Sequence, residues 1–409
     1  MQRLYESILK AQFQIQNTPA FLIGPRQVGK TAIATALKDA LPLSIYLKGD
    51  NLNRKNSQLP SFQNMNDLKQ SKVIEYSLPN TDSTSLSLLI IDEIQKRKNW
   101  QILVGELLTK PSYSLLITGK IYFKSTINQN PNKGSQSLLY RVHPFSVSEL
   151  IDPSMRDAEI LLPAPIENEF YQNLLKFGGF PKPLLAGNQK TYTRWKNHRM
   201  DQLFEEDIQK DSRINEDKKM RLLANTLQTL TGKEVNYSAL SKTIQVSDQT
   251  IRTWIASLES FYYCYLVRPW ALNVERSLTK EPKAYLYDWS LVKDKRQRYK
   301  NFIASHLLKA VQFWTDDGLA HFELHYLRDK DQHAVDFLIT RNQIPWILVE
   351  TSATFAEPVS KNLHYFQKKL SVPYAFQVAV EEDYSETNCF EMPRAPFSVS
   401  AKTFLSQLV

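Results

Sequence analysis

The chain has 409 residues, with 51 Lys+Arg against 42 Asp+Glu and a net charge of +9. That length exceeds one ordinary core and points to two or three domains, and 42% hydrophobic with 23% charged residues excludes an intrinsically disordered chain. The excess of base favours an anionic partner such as nucleic acid, a nucleotide or an acidic surface, while no apolar run nears the roughly 20 residues that cross a bilayer and no signal-peptide core opens the chain, so the expectation is a cytoplasmic protein with no membrane partner.

Only two cysteines occur, Cys264 and Cys389, far apart and without metal spacing, which fits a reducing compartment. Residues 19–150 alternate short apolar runs with helical patterns. "AFLIGP", "LSIYLKGD", "LSLLIIDE" and "YSLLITGK" read as buried strands with polar tips, and "GKTAIATALKDAL" and "NWQILVGELL" as crossover helices. This alternation predicts a parallel sheet with helices on both faces, an α/β fold whose ligand sits at the carboxyl ends of the strands. The Asn/Gly/Pro/Ser-rich stretch 128–137 is expected to be an exposed loop. From 155 to 230 the pattern is helical, broken at "FGGFPKP", and 231–270 reads as a small helical module with a hairpin. From 284 strands return in "KAYLYD", "FELHYLRD", "AVDFLIT", "WILVET" and "YAFQVAV", with helical segments at 299–312 and 358–370, a second α/β unit.

"GPRQVGKT", Gly24 to Thr31, fits the phosphate-binding loop pattern Gly-x4-Gly-Lys-Thr, and it follows a strand and opens a helix as that mechanism requires. Glycines let backbone N–H groups turn inward around phosphates, and the helix directs its positive end at them. Lys30 supplies a point charge for the β- and γ-oxygens, and the Thr31 hydroxyl can ligate Mg²⁺. The expected nucleotide contacts are Gly24, Pro25, Arg26, Gln27, Val28, Gly29, Lys30, Thr31 and Ala32. About 60 residues on, "LLIIDE" brings Asp92 and Glu93 out at a strand tip, Asp92 for the Mg²⁺ shell and Glu93 as general base toward water. Thr118, at the tip of "LLITGK", can hold that water or a γ-phosphate oxygen. Arg141 in "LLYRVHPFS" can cap the developing charge, in cis or from a neighbouring subunit.

"GPRQVGKT", "LLIIDEIQK", "LLITG", "LLYRVHPFSVSEL" and "FGGFPKPLL", in this order, resemble a group of prokaryotic AAA+-type ATP-binding proteins. The resemblance spans nearly the whole chain. It implies a P-loop ATPase core at 1–150, a helical lid at 151–220, a winged helix at 221–275, and at 276–409 a domain of unknown function with a restriction-endonuclease-like fold. It also implies ATP and Mg²⁺ as cofactors, Thr118 as the sensor residue, Arg141 as the arginine that follows it, and Gly178, Gly179 and Pro181 as a lid motif near the nucleotide base. The chain departs from that group at Tyr140, where Gly is commoner, and at Lys120, where Ser is commoner.

"NYSALSKTIQVSDQTIRTWIASLESFYYCYLV" reads as helix, turn, helix, strand. Leu240, Ile244, Val246, Ile251, Ile255 and Leu258 form its core, Ser247 caps the second helix, and Asp248, Gln249, Arg252 and Thr253 face outward. Gln and Arg can read bases, although Asp248 repels phosphate, so a DNA contact and a plain spacer both stand. "KDKRQRYK", 293–300, is a denser basic run, either a solvated helix face or a set of phosphate contacts.

In "ILVETSA" an apolar strand delivers Glu350, fourteen residues after Asp336. Two such acids can chelate Mg²⁺ in a nuclease site, which by resemblance also needs a lysine two residues after the Glu and a helical Glu. This chain has Ser352 and Lys300 at those places, and a Lys300 ammonium would pair with the carboxylates instead. The expectation is a nuclease-like domain that no longer cuts, with Lys361 or Lys368 as the substitute lysine if it does. His306, His321, His325 and His333 show no ligand spacing. The leading reading is an ATP-hydrolysing AAA+-like protein whose nucleotide state controls domains acting on a protein or nucleic-acid partner, with oligomerisation open. The alternatives are a DNA-binding regulator that uses nucleotide only as ligand, and a Mg²⁺ nuclease.

Overall fold

The computed structural model describes residues 1–15, 18–41, 44–53, 88–108, 113–120, 137–154, 158–209, 216–270, 281–391, 393 and 395–409. The stretch 128–137 expected as a loop lies, up to Ser137, outside them. The chain forms two compact units, Met1–His143 with Pro153–Arg156, and Pro144–Asp152 with Asp157–Val409.

In the first unit five strands form one parallel sheet in the order β2-β3-β4-β1-β5: β1 (Ala20–Ile23), β2 (Ser44–Lys48), β3 (Leu88–Asp92), β4 (Ser114–Gly119) and β5 (Leu138–Arg141). β1, β3 and β4 are buried along their whole length, as expected of strands covered on both faces. Helices α1 (Leu4–Ile15), α2 (Lys30–Ala40) and α3 (Trp100–Leu107) accompany the sheet. Ile33, Ala34 and Leu37 are buried along one stripe of α2, and Trp100, Leu103, Val104 and Leu107 along α3. The parallel sheet and both crossover helices match the α/β fold read from the sequence. β5 is an additional strand, and its register is what matters for function: Ile23 pairs with both Gly119 and Arg141, so three strand tips align beside the start of the glycine loop.

The second unit begins with the short helix α4 (Val147–Ile151), followed by α5 (Asn168–Phe177), α6 (Pro181–Ala186) and α7 (Gln189–Asp201), which runs on as a π-helical turn over Gln202–Ile208. Then come α8 (Asp217–Thr229), α9 (Tyr237–Ile244) and α10 (Asp248–Ser260). Leu240, Ile244, Ile251, Ile255 and Leu258 are buried as the pattern predicts, joined by Trp254, and Val246 is half-buried. The Ser247 hydroxyl accepts from Thr250 N–H and caps α10.

A mixed sheet of seven strands closes the unit, in the order β12-β11-β10-β9-β8-β6-β7: β6 (Cys264–Pro269), β7 (Lys283–Leu286), β8 (Phe322–Arg328), β9 (Ala334–Arg341), β10 (Ile344–Ser352), β11 (Tyr374–Ala379) and β12 (Phe397–Ser400). Helices α11 (Lys295–Asp316), α12 (Lys361–Leu370) and α13 (Ala401–Ser406) pack with it. The hairpin β6–β7 is not confined to the helical module: Arg268 and Pro269 pair in parallel with His325 and Tyr326 of β8, so one sheet runs through the boundary expected at 275/276. No helix among the described residues is long and apolar enough to cross a membrane.

Candidate functional site

The loop Gly24–Gly29 leaves β1 and enters α2 through left-handed backbone at Gln27 (φ 61°) and Gly29 (φ 107°). Gly24 also sits against the Val142 carbonyl where a Cβ would collide, so the loop's first glycine is set by the neighbouring chain after β5. Lys30 is 8% exposed, and its ammonium donates to the loop's own carbonyls, Gly24 O at 2.8 Å and Pro25 O at 2.7 Å. Burial pushes its pKa down to about 8, against the opposing pull of Asp92 and Glu93.

Asp92, 4% exposed at the tip of β3, gathers hydroxyls. Thr31 donates to its Oδ2 at 2.8 Å, Tyr46 of β2 to the same oxygen at 2.5 Å, and Thr118 of β4 to Oδ1. Tyr46 was not legible as a site residue, because a tyrosine in an apolar run reads as core. Thr118, fully buried, also accepts from Glu93 N–H at 3.0 Å. Its single proton goes to Asp92, and in this arrangement it braces the Asp92–Glu93 turn. Glu93 stands in the left-handed region (φ 53°), and its carboxylate is ion-paired with Lys96, three residues on.

Arg141 belongs to the same group through register: it pairs with Ile23, the residue before Gly24, and its carbonyl accepts from Tyr5 Oη at 2.8 Å. Arg26 is half-buried and Gln27 exposed on the loop, Val28 is buried, and Thr31 and Ala32 lie on the exposed side of the first turn of α2. Lys30, Thr31, Asp92, Glu93 and Thr118 thus meet at the carboxyl ends of the strands, with the Arg141 backbone in register beside Ile23.

Gly179 and Pro181 lie in the second unit. A Cβ on Gly179 would meet Phe145 O at 2.6 Å and Trp289 at 2.7 Å, and Pro181 opens α6 at its first turn.

Residues 16–151 match the AAA domain, and residues 168–297 match a domain of unknown function, DUF8612. The second match covers the helices and the β6–β7 hairpin and ends at residue 297, so it shares only 276–297 with the region 276–409 where a domain of unknown function was expected. No curated protein matches the chain. Among solved structures the chain is similar to the Walker-type ATPase of Pyrococcus abyssi, at 13% identity and TM-score 0.43, covering 71% of this chain and 95% of that one. It is also similar to AMPPCP-bound DnaA from Aquifex aeolicus, at 14% identity and TM-score 0.32, covering 63% and 87%. A third is a DNA polymerase III gamma subunit-related protein from Thermotoga maritima, at 10% identity and TM-score 0.23, covering 63% and 77%. The AAA match and the loop geometry agree: the first unit is an AAA-type, ATPase-like domain with a P-loop.

The second cluster of interest lies around Asp336, which is 8% exposed. Lys300 of α11 places its ammonium 2.6 Å from Asp336 Oδ1, and Thr351 N–H donates to Oδ2 at 3.2 Å. Burial, with Asp336 alongside, pushes the Glu350 carboxyl up, while Ser360 and Lys300 oppose that shift. The Glu350 Oε2 and Ser352 Oγ atoms are buried without a protein partner. The ammonium expected to pair with both carboxylates is thus bonded to Asp336. The basic run 293–300 is largely spent locally: Lys295 pairs with Glu381 at 2.9 Å, Arg298 donates to Val292 O at 2.7 Å, and Lys300 holds Asp336. His333 does approach acids, with Nδ1 3.2 Å from Asp329 Oδ2, but Tyr365 Oη at 2.9 Å and Lys369 Nζ at 3.5 Å already serve that carboxylate.

Proposed function

We propose that the first unit binds ATP with Mg²⁺ and hydrolyses it, and that the second unit responds to the nucleotide state. The single observation that carries this reading is the Asp92 carboxylate, which holds the Thr31, Tyr46 and Thr118 hydroxyls beside the Lys30 ammonium at one end of a parallel sheet. On nucleotide binding, Lys30 exchanges the Gly24 and Pro25 carbonyls for phosphate oxygens. The donor set suits Mg²⁺, since a hydroxyl and a carboxylate already lie 2.8 Å apart in Thr31 and Asp92. When bound, that ion neutralises charge on the phosphates. Glu93 leaves Lys96 and accepts a proton from the attacking water as the bond to the γ-phosphorus forms, while the bond between the γ-phosphorus and the ADP oxygen breaks. Arg141 faces the transferring group, in cis or from a neighbouring copy.

Chain connectivity supports a coupled second unit: two residues separate Arg141 from Pro144, where the second unit begins. Within that unit we assign 151–220 as a helical lid, 221–275 as a winged helix, and 276–409 as a nuclease-like region in which Lys300 takes the place of a metal. Exposed Gln249 and Arg252 on α10 support a nucleic-acid partner, and the Arg252 guanidinium lies 3.8 Å above the Tyr237 ring. The test is phosphate release by the purified protein with Mg²⁺-ATP. Glu93→Gln is expected to lower the rate about 100-fold or more, and Lys30→Ala to abolish it. Equal rates in wild type and both variants would overturn the assignment.

A further inference from the structure

The first turn of the chain is built into the nucleotide site. Arg3, immediately before α1, is 2% exposed. A buried guanidinium needs acceptors for its N–H groups, and the chain supplies main-chain carbonyls. Nη1 donates to Val28 O in the glycine loop, and Nη2 donates to His143 O at 2.7 Å. Tyr5, two residues on, ties down the same exit from β5: its hydroxyl donates to Arg141 O at 2.8 Å and accepts from His143 N–H at 3.4 Å. Val142 N–H in turn donates to Ile23 O at 2.7 Å, at the root of the loop.

In a trans peptide the C=O and the following N–H point in opposite directions. Holding Val28 O against a buried cation therefore turns the Gly29 N–H away from Arg3, toward the open side of the loop. It also polarises that peptide, which makes its N–H a stronger donor. Gly29 is the left-handed residue that starts α2, so its amide is one of the phosphate-facing donors on the nucleotide reading.

We propose that Arg3 is a positioning residue of the nucleotide site: it fixes the Val28–Gly29 peptide with its N–H toward the phosphates, braced against the His143 carbonyl beyond β5. This rests on the ATP reading above. The AAA match begins at residue 16, so Arg3 and Tyr5 stand outside it.

The experiment uses the full chain and measures calorimetric ADP affinity, steady-state ATP kinetics, and the thermal midpoint without nucleotide, for wild type, Arg3→Gln and Arg3→Lys. Arg3→Gln is expected to raise the ADP Kd and the ATP KM by the same factor, about 10-fold, while kcat stays within roughly 2-fold because Asp92 and Glu93 keep their partners. Arg3→Lys recovers only part of the loss, since an ammonium lacks the planar fork that spans both carbonyls. A folded Arg3→Gln or Arg3→Lys with wild-type Kd and KM, whatever its thermal midpoint, overturns the proposal and leaves Arg3 a folding residue. A wild-type protein that binds no ADP or ATP overturns the nucleotide reading itself, and this inference with it.

Discussion

Lys96 holds Glu93. The two side chains form an ion pair one turn apart at the tip of β3, with 43% and 36% of their side-chain surface exposed. A pair so exposed is worth about 0.2–1 kcal/mol and exchanges readily with solvent. It keeps the proposed base occupied between turnovers without preventing its release. Lys96→Met is therefore expected to raise basal ATP hydrolysis, by no more than about 5-fold. Added salt should narrow the gap between variant and wild type. A fall in rate would mean that Lys96 assists the reaction instead.

Lys30 makes nucleotide binding depend on pH. Burial brings its pKa to about 8 in the free protein, and bound phosphates raise it. Below pH 8 the ammonium is present before and after binding, and affinity is flat. Above pH 8 binding requires proton uptake, so affinity falls by up to about 10-fold per pH unit until the pKa of the complex is reached. Calorimetry from pH 7 to 9.5, in buffers of different ionisation enthalpy, reads both the decline and the proton. Buffer-independent heats at pH 9 would contradict it.

The segment Pro144–Asp152 is fixed within the second unit by a buried ion pair. Lys309 Nζ lies 2.5 Å from Glu149 Oε2 and 2.8 Å from Ser146 Oγ, with the two charged side chains 1% and 0% exposed. Removing one partner takes away the opposite charge that compensates the other's burial, so Lys309→Met is expected to cost about 3–5 kcal/mol in chemical denaturation. Lys309→Met with Glu149→Leu should cost less than the single change, since both buried charges are then gone.

His306, which accepts from Val147 N–H at 3.2 Å, is held neutral beside that pair, its pKa lowered to about 3 chiefly by burial. An unfolded histidine takes its proton near pH 6.5, the folded one only near pH 3. Stability is therefore lost as pH falls through that window, by up to about 1.4 kcal/mol per pH unit. His306→Gln should flatten the pH dependence of the denaturation midpoint between pH 6 and 4. An unchanged slope would show that other groups carry it.

Around Asp336, Lys300 stands where a divalent cation would compete. Lys300→Glu replaces the ammonium with a third carboxylate, and the variant is expected to bind Mn²⁺ in a way that Asp336→Asn abolishes. Wild-type protein whose Mn²⁺ binding disappears with Asp336→Asn would show that the lysine does not displace metal.

The parts legible in the sequence were those carried by contiguous residues. Gly24–Thr31 and Leu88–Glu93 each bring their chemistry in one stretch, so loop, strand tip and acids could be placed together. What the sequence hid arrives by register. Tyr46 reaches Asp92 because Lys48 pairs with Asp92 across β2 and β3. Thr118 is legible as a strand-tip hydroxyl, whereas its bond to Asp92 is not. β5 spans only four residues, too short for a periodic signal, and its pairing with β1 gives Arg141 its place. Nothing local marks Arg3 and Tyr5, since no sequence pattern reports a bond to residues more than a hundred positions away. In the second unit the period of α9 and α10 predicted their core. The continuation of β6 into the large sheet depends on a two-residue parallel contact that no local pattern encodes.

The most direct test is calorimetric titration of the full chain with a non-hydrolysable ATP analogue and Mg²⁺, beside Lys30→Ala. The account predicts one analogue bound per chain by the wild type and a loss of at least about 100-fold in affinity in the variant. No heat with the wild type, or equal binding by both proteins, would contradict it.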